Sequence, residues 1–265
     1  MTAEIVASIE TVSAAAVASS AGGHVSTESE VVAALSDLGR TVEREKKRIR
    51  AQLTTRHEVV ERATAFSALG TLGLERAEIR HTAALAWALD PEAAHQVGRA
   101  VCSRLLGRLG HDLPAVYLVH KEAVLAEGRI DIQLVAPDGR PLVGIENKVD
   151  DKDRDDQLAM YERDLRLRND GVVLIYLSPH GSAPTAPDCE RWQLLSYSAI
   201  AKAILSEVGD GPLLTEAEGE LARQWLQLYA FSVVHMLMRA GEAGCDLDDL
   251  SLKSLRAVES VFCGR

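Results

Sequence analysis

Gly128-Arg129-Ile130-Asp131-Ile132-Gln133-Leu134 and Leu142-Val143-Gly144-Ile145-Glu146-Asn147-Lys148 are the two runs whose reading decides the fold. Both are rich in β-branched and aliphatic residues and both read as strands. Between them, Pro137-Asp138-Gly139 is a turn signal, so the pair reads as a hairpin. The period of two sends Val143 and Ile145 to one face and Glu146 and Lys148 to the other. In the first run it leaves Asp131 facing away from Ile130, Ile132 and Leu134. A carboxylate in the middle of a strand is costly unless something binds it. The hairpin is therefore expected to gather Asp131, Glu146 and Lys148 into one place.

Outward from this hairpin, residues 115–121, 129–136 and 141–148 read as strands. Gly171 introduces the apolar run Val172-Val173-Leu174-Ile175-Tyr176-Leu177, a buried strand, and 192–195 adds a short one. Helical patterns cover 74–89, ending at Asp90-Pro91, and resume through 109. Others cover 153–168, 198–208, 214–239 and 249–261. No internal repeat is visible. The fold class expected is α/β: a mixed central sheet of about four to five strands flanked by helices, with extra helices at both termini. The chain divides into a low-complexity tail (1–26), an amphipathic helical extension (27–73), a core (74–210) and a C-terminal helical segment (211–265).

In the extension, the capping box Thr27/Glu30 opens a seam of Val31, Leu35, Leu38, Val42 and Ile49. Glu45 and Gln52 interrupt it where a coiled coil wants apolar groups, so packing against the domain is expected rather than a long free zipper. The alternative is that the same helix serves as the surface for a homo-oligomer or a partner protein. Its Arg44, Lys46, Lys47, Arg48 and Arg50 could grip a phosphate backbone, but Glu43 and Glu45 lie within pairing distance and a solvated face is the better reading.

With 265 residues, 47% of them apolar and 26% charged, the composition is that of an ordinary globular protein. No stretch approaches the roughly 18 apolar residues of a membrane span. Residues 1–22 are interrupted by Glu4 and Glu10 with no preceding basic residue, so a cytoplasmic protein is expected. Cys102, Cys189, Cys245 and Cys263 are scattered and read as buried free thiols. The net charge of −10 argues against tight binding of nucleic acid without chemistry. Metal-assisted chemistry on a phosphate backbone is compatible with it, since metal ions screen an acidic site.

Two carboxylates and an ammonium on one face suit phosphodiester hydrolysis. Asp131 and Glu146 offer oxygen ligands to a hard cation such as Mg2+. Lys148 can orient a water and offset the charge of the transition state. An isolated E-x-K is noise; the preceding Asp131, and Gln157 and Tyr161 at i and i+4 on the next helix, raise its weight. Asp150, Asp151, Asp153, Asp155 and Asp156 read as acids complementing a helix N-terminus. His81 and His95 lack partners at zinc spacing and read as packed or surface histidines, and Trp87, Trp192 and Trp225 as core.

The combination R-I-D-I, I-E-N-K and Q-L-A-M-Y resembles the PD-(D/E)XK nuclease superfamily. Upstream, Glu78-Ile79-Arg80-His81-Thr82-Ala83-Ala84-Leu85-Ala86-Trp87-Ala88-Leu89-Asp90-Pro91, with His95 and Gly98, resembles the opening of a bacterial branch of it. Thr82 stands where that branch often has Ser. The resemblance implies a restriction-endonuclease-like fold and a metal-dependent endonuclease. In it Asp131, Glu146, Lys148, Gln157 and Tyr161 are catalytic, and Asp131 and Glu146 hold Mg2+ or Mn2+, with Glu78 an outer ligand through water. It also implies nucleic acid, DNA above RNA, as substrate, and by analogy a restriction or antiviral defence setting. The rival is a catalytically silent nuclease-fold module that binds nucleic acid or a partner protein within a larger complex.

Overall fold

The computed structural model describes residues 28–55, 67–150, 156–185, 189–210, 217–239 and 250–262. In chain order its elements are α1 (Glu28–Thr55), α2 (Ala68–Thr71), α3 (Glu78–Leu89), α4 (Gly98–Arg108), β1 (Leu118–Leu125), β2 (Gly128–Val135), β3 (Pro141–Asn147), α5 (Gln157–Arg168), β4 (Val173–Ser178), β5 (Gln193–Ser196), α6 (Tyr197–Asp210), α7 (Ala217–Arg239) and α8 (Leu252–Phe262). The five strands make one sheet in the order β1-β2-β3-β4-β5. Strands β1 to β3 are antiparallel, joined by tight turns. Strands β3, β4 and β5 are parallel, and α5 supplies the crossover that a parallel β3–β4 pair needs. The mixed α/β architecture is thus the one expected, with eight helices around the sheet among the described residues.

The alternation of β3 and β4 builds two apolar layers. Val143, Ile145, Ile175 and Leu177 join the main core with residues of α3, α4, α6, α7 and α8. Leu174 and Tyr176 point the opposite way, into a smaller cluster with Leu158, Tyr161 and Leu165 of α5. Gly144 is what lets α5 lie so close: a Cβ there would sit 2.7 Å from Leu165 Cδ1 and 2.9 Å from Ile130 Cδ1.

The β1–β2 hairpin departs from the sequence reading in two ways. Strand β1 runs on to Leu125 rather than stopping near 121, because Lys121 and Glu122 lie on an outer strand where solvent masks the alternation. Ile130 also does not share a face with Ile132 and Leu134: it lies in the α5 cluster and they lie in the main core. Glu122, which falls opposite Asp131 in the register, has φ 53. A non-glycine residue in that region breaks the regular pleat, and the hairpin turns over at this point.

At the N-terminus the second half of α1 packs on α8, with Ile49 and Leu53 almost fully buried. Burial of each such side chain is worth roughly 1.5–3 kcal/mol. Glu45, which interrupts the seam, is itself buried, where it accepts from Arg48 (2.9 Å) and Arg256 (2.9 Å). The Arg48 hydrogen bond, with its charge and that of Arg256, holds the Glu45 carboxyl below its ordinary range against burial. In the first half of α1, Val32 and Leu35 are exposed. Thr27 of the expected capping box, the expected tail, Asp151, Asp153, Asp155, Cys245 and Cys263 lie outside the described residues. Cys102 is a buried free thiol, pushed up to about 12 by burial, whereas Cys189 is half-buried rather than buried. Trp192 is buried and Trp87 half-buried, but Trp225 is 43% exposed, stacked on Tyr229 at the open side of a groove between α3 and α7. Among the described residues, no helix is long and apolar enough to cross a membrane.

Candidate active site

The C-terminal end of β3 is where the polar side chains of the hairpin meet. Glu146 and Lys148 leave β3 on the same face as Gly144, as the period of two requires. Lys148 Nζ lies 2.8 Å from Glu146 Oε1 and 3.4 Å from Glu78 Oε1. Glu78 arrives from the first turn of α3, where an acid is favoured by the helix dipole. Its second oxygen accepts the amide of Val149 at 3.3 Å. Asp131 Oδ2 accepts the amide of Asn147 at 2.8 Å. Two backbone N–H groups at the end of β3 therefore each grip an acid from a different element. Among the described residues, no three carboxylate, imidazole or thiol groups converge tightly enough to form a closed chelate.

The electrostatics follow from burial. Glu146 is 2% exposed, and its Oε2 has no hydrogen-bond partner. Burial, and then the charge of Asp131, push its carboxyl up to about 8 despite Lys148. Asp131 is pushed up to about 6, chiefly by burial, against the pull of the Asn147 amide and Lys148. The Lys148 ammonium loses solvation as well, but the neighbouring Glu146, Glu78 and Asp131 outweigh that and hold it above its ordinary range. Lys148 thus stays charged while the two strand acids resist ionisation.

Gln157 and Tyr161 lie on α5 over the same sheet face. Gln157 Nε2 donates to Tyr161 Oη at 2.8 Å, and that is the contact the structure gives the Gln157 amide. Tyr161 is buried against the start of β2, where Gly128 (φ 135) leaves just enough room: a Cβ there would be 3.0 Å from the tyrosine ring and hydroxyl. Asp156 precedes α5 with φ 67 and no side-chain cap, and Asp150 pairs with Arg76.

His81 and His95 are fully buried, with their ring nitrogens on protein groups. His81 Nε2 meets the Glu75 carbonyl at 2.8 Å. His95 Nδ1 accepts the amide of Val97 at 3.1 Å, so its Nε2 carries the proton toward the Trp87 carbonyl at 2.8 Å. Burial lowers both imidazoles below their ordinary value.

Two residues at this site were not singled out from sequence. Glu122 faces Asp131 across the β1–β2 pair with its left-handed backbone, and its charge helps raise the Asp131 carboxyl. Asn147 is fully buried, with its side chain on the main-core side. Its signal was available: a polar residue on the apolar face of a buried strand must find partners.

Comparison with curated proteins and with solved structures returns no significant match. The family model described as the PD-(D/E)XK nuclease superfamily matches residues 65–230, a span that runs from the segment before α2 into α7 and takes in every strand. With a mixed sheet carrying an acid on one strand and an acid-x-lysine on the next, this chain belongs to the PD-(D/E)XK nuclease superfamily.

Proposed function

We propose that the chain is a divalent-metal-dependent nuclease that hydrolyses phosphodiester bonds, in DNA above RNA, at the end of β3. The observation that carries this reading is Glu146 Oε2, a buried carboxylate oxygen without a partner. Leaving such an atom unmatched costs about 1–3 kcal/mol or more, and a cation would remove that cost. Asp131 and Glu146 would hold Mg2+ or Mn2+. Both are oxygen donors whose charge is otherwise disfavoured here, and Mg2+ needs only one or two protein carboxylates. Bound there, the ion supplies polarisation of the phosphate and a lowered pKa for a coordinated water.

The remaining work falls to the protein's own groups. Lys148 has three N–H donors, and Glu146 and Glu78 engage two of them. The third can hold the attacking water or a phosphate oxygen, where the fixed charge offsets the negative charge that develops. Glu78 keeps that ammonium aimed, and its outer-ligand role through water is part of the same proposal. Gln157, steadied by Tyr161, is assigned to position the lysine or the phosphate. A cytoplasmic restriction or antiviral defence setting follows by analogy with the family.

The test is cleavage of DNA and of RNA with Mg2+ or Mn2+, comparing wild type with Asp131→Ala and Lys148→Ala. Both variants should lose at least about 100-fold; equal cleavage by all three removes the assignment. We also assign the first half of α1 as a docking face for a second copy, supported by Val32 (58% exposed) and Leu35 (52% exposed) on a helix whose other half is packed. Light scattering of the Val32→Glu/Leu35→Glu double variant should give half the wild-type mass, and an unchanged mass removes this interface.

A further inference from the structure

We propose that Asn147 is a positioning residue for the hydrolytic site and that Thr82 and Tyr197 form the clamp that holds it. The inference rests on the nuclease reading above and deepens it. Asn147 stands between Glu146 and Lys148 but projects to the other face of the sheet, and it is 0% exposed. There its Nδ2 donates to Thr82 Oγ1 at 3.0 Å and to the Glu78 carbonyl at 3.4 Å, and its Oδ1 accepts from the hydroxyl of Tyr197. Its own backbone N–H is the one that Asp131 accepts, and the next N–H, that of Lys148, goes to the Leu177 carbonyl at 2.8 Å. The backbone bonds fix the peptide planes and the clamp fixes the side chain. Together they fix the directions in which the flanking Glu146 and Lys148 leave the strand.

The clamp is itself braced. Tyr197 is fully buried at the start of α6. The His81 ring meets the Tyr197 ring edge-on, with centroids 5.3 Å apart and planes at 82°. His81 is in turn held by the Glu75 carbonyl. This accounts for the segment Glu78-x-x-His81-Thr82, whose members at i, i+3 and i+4 share one side of α3. Glu78 reaches Lys148 and the Val149 amide, His81 steadies Tyr197, and Thr82 grips Asn147. Supporting partners of metal-binding groups typically carry about 10–100-fold in metal affinity or activity. A displacement of about 1 Å at a reacting group is enough for the upper end of that range.

The experiment uses the full chain as wild type, Thr82→Val, Thr82→Ser and Tyr197→Phe. It measures Mn2+ affinity by calorimetry together with kcat and KM for DNA, at a temperature where all four are folded by circular dichroism. Thr82→Val and Tyr197→Phe should each lower kcat or weaken Mn2+ binding by about tenfold or more, with KM for DNA within about twofold of wild type, while Thr82→Ser, which keeps the hydroxyl, retains wild-type values. Wild-type kcat and Mn2+ affinity in Thr82→Val and Tyr197→Phe would overturn the proposal. So would losses in all three variants that follow only the drop in melting temperature, because the network would then be mere support for the fold. Mn2+ binding by wild type without cleavage of DNA or RNA would remove the nuclease reading alone, and the Mn2+ affinities would then decide on the clamp.

Discussion

Glu146 and Asn147 are consecutive residues of β3, 2% and 0% exposed, and they meet burial in opposite ways. Asn147 looks toward the main core, and its amide has partners on both its nitrogen and its oxygen. Glu146 looks toward α5 with one oxygen on Lys148 and the other on nothing. A satisfied buried amide stabilises and orients; a buried carboxylate oxygen without a partner is a standing cost that a ligand can relieve. The fold thus keeps one face of a single strand rigid and leaves the other electrostatically unfinished.

The contrast breaks most sharply with Glu146→Gln. Cleavage should fall by at least about 100-fold, while the metal-free protein at pH about 8 becomes more stable, because the substitution removes a charge the site disfavours. A melting temperature a few degrees above wild type in the presence of a chelator would show it; a lower one would mean that the Lys148 ion pair outweighs the burial cost. Asn147→Leu should do the reverse to stability, leaving Thr82 and Tyr197 hydroxyls unmatched at a cost of roughly 2–4 kcal/mol, read by denaturant unfolding. A loss below about 1 kcal/mol would show that the amide network is not tight.

A gentler measure is the pH dependence of the metal-free protein. Both carboxyls sit above their ordinary values, Asp131 at about 6 and Glu146 at about 8. The folded state therefore binds more protons than the unfolded one across this window, so the contribution is complete at acid pH and is lost as pH rises through about 6 and then about 8. Mg2+ competes with those protons, so its stabilising effect should grow over the same interval. Melting temperatures recorded from pH about 5 to about 9, with chelator and with Mg2+, should diverge toward the alkaline end. Parallel curves would mean that neither acid meets the ion.

Much of this contrast is legible along the chain. The alternation Val143-Gly144-Ile145-Glu146-Asn147-Lys148 sets Glu146 and Lys148 together, Pro137-Asp138-Gly139 closes the hairpin, and the apolar run after Gly171 is the central parallel strand. Asn147 was readable in principle, since its parity assigns it to the apolar face, but the tripeptide draws attention to its two charged ends. The turn-over at Glu122 was not readable: nothing in Lys121-Glu122-Ala123 marks a left-handed residue, and the effect on Ile130 depends on the strand across from it.

By itself the sequence determined the secondary structure of the hairpin, the shared face of an acid and a lysine two residues apart, and the family, because each depends on neighbours along the backbone. Only the tertiary structure decided which distant groups complete the site. Glu78 meets Lys148 across 70 residues, Thr82 meets Asn147 across 65, and Tyr197 meets Asn147 across 50. Such contacts form when α3 and α6 pack on the sheet to bury its apolar face, and that packing, which no local periodicity encodes, sets which polar groups arrive together.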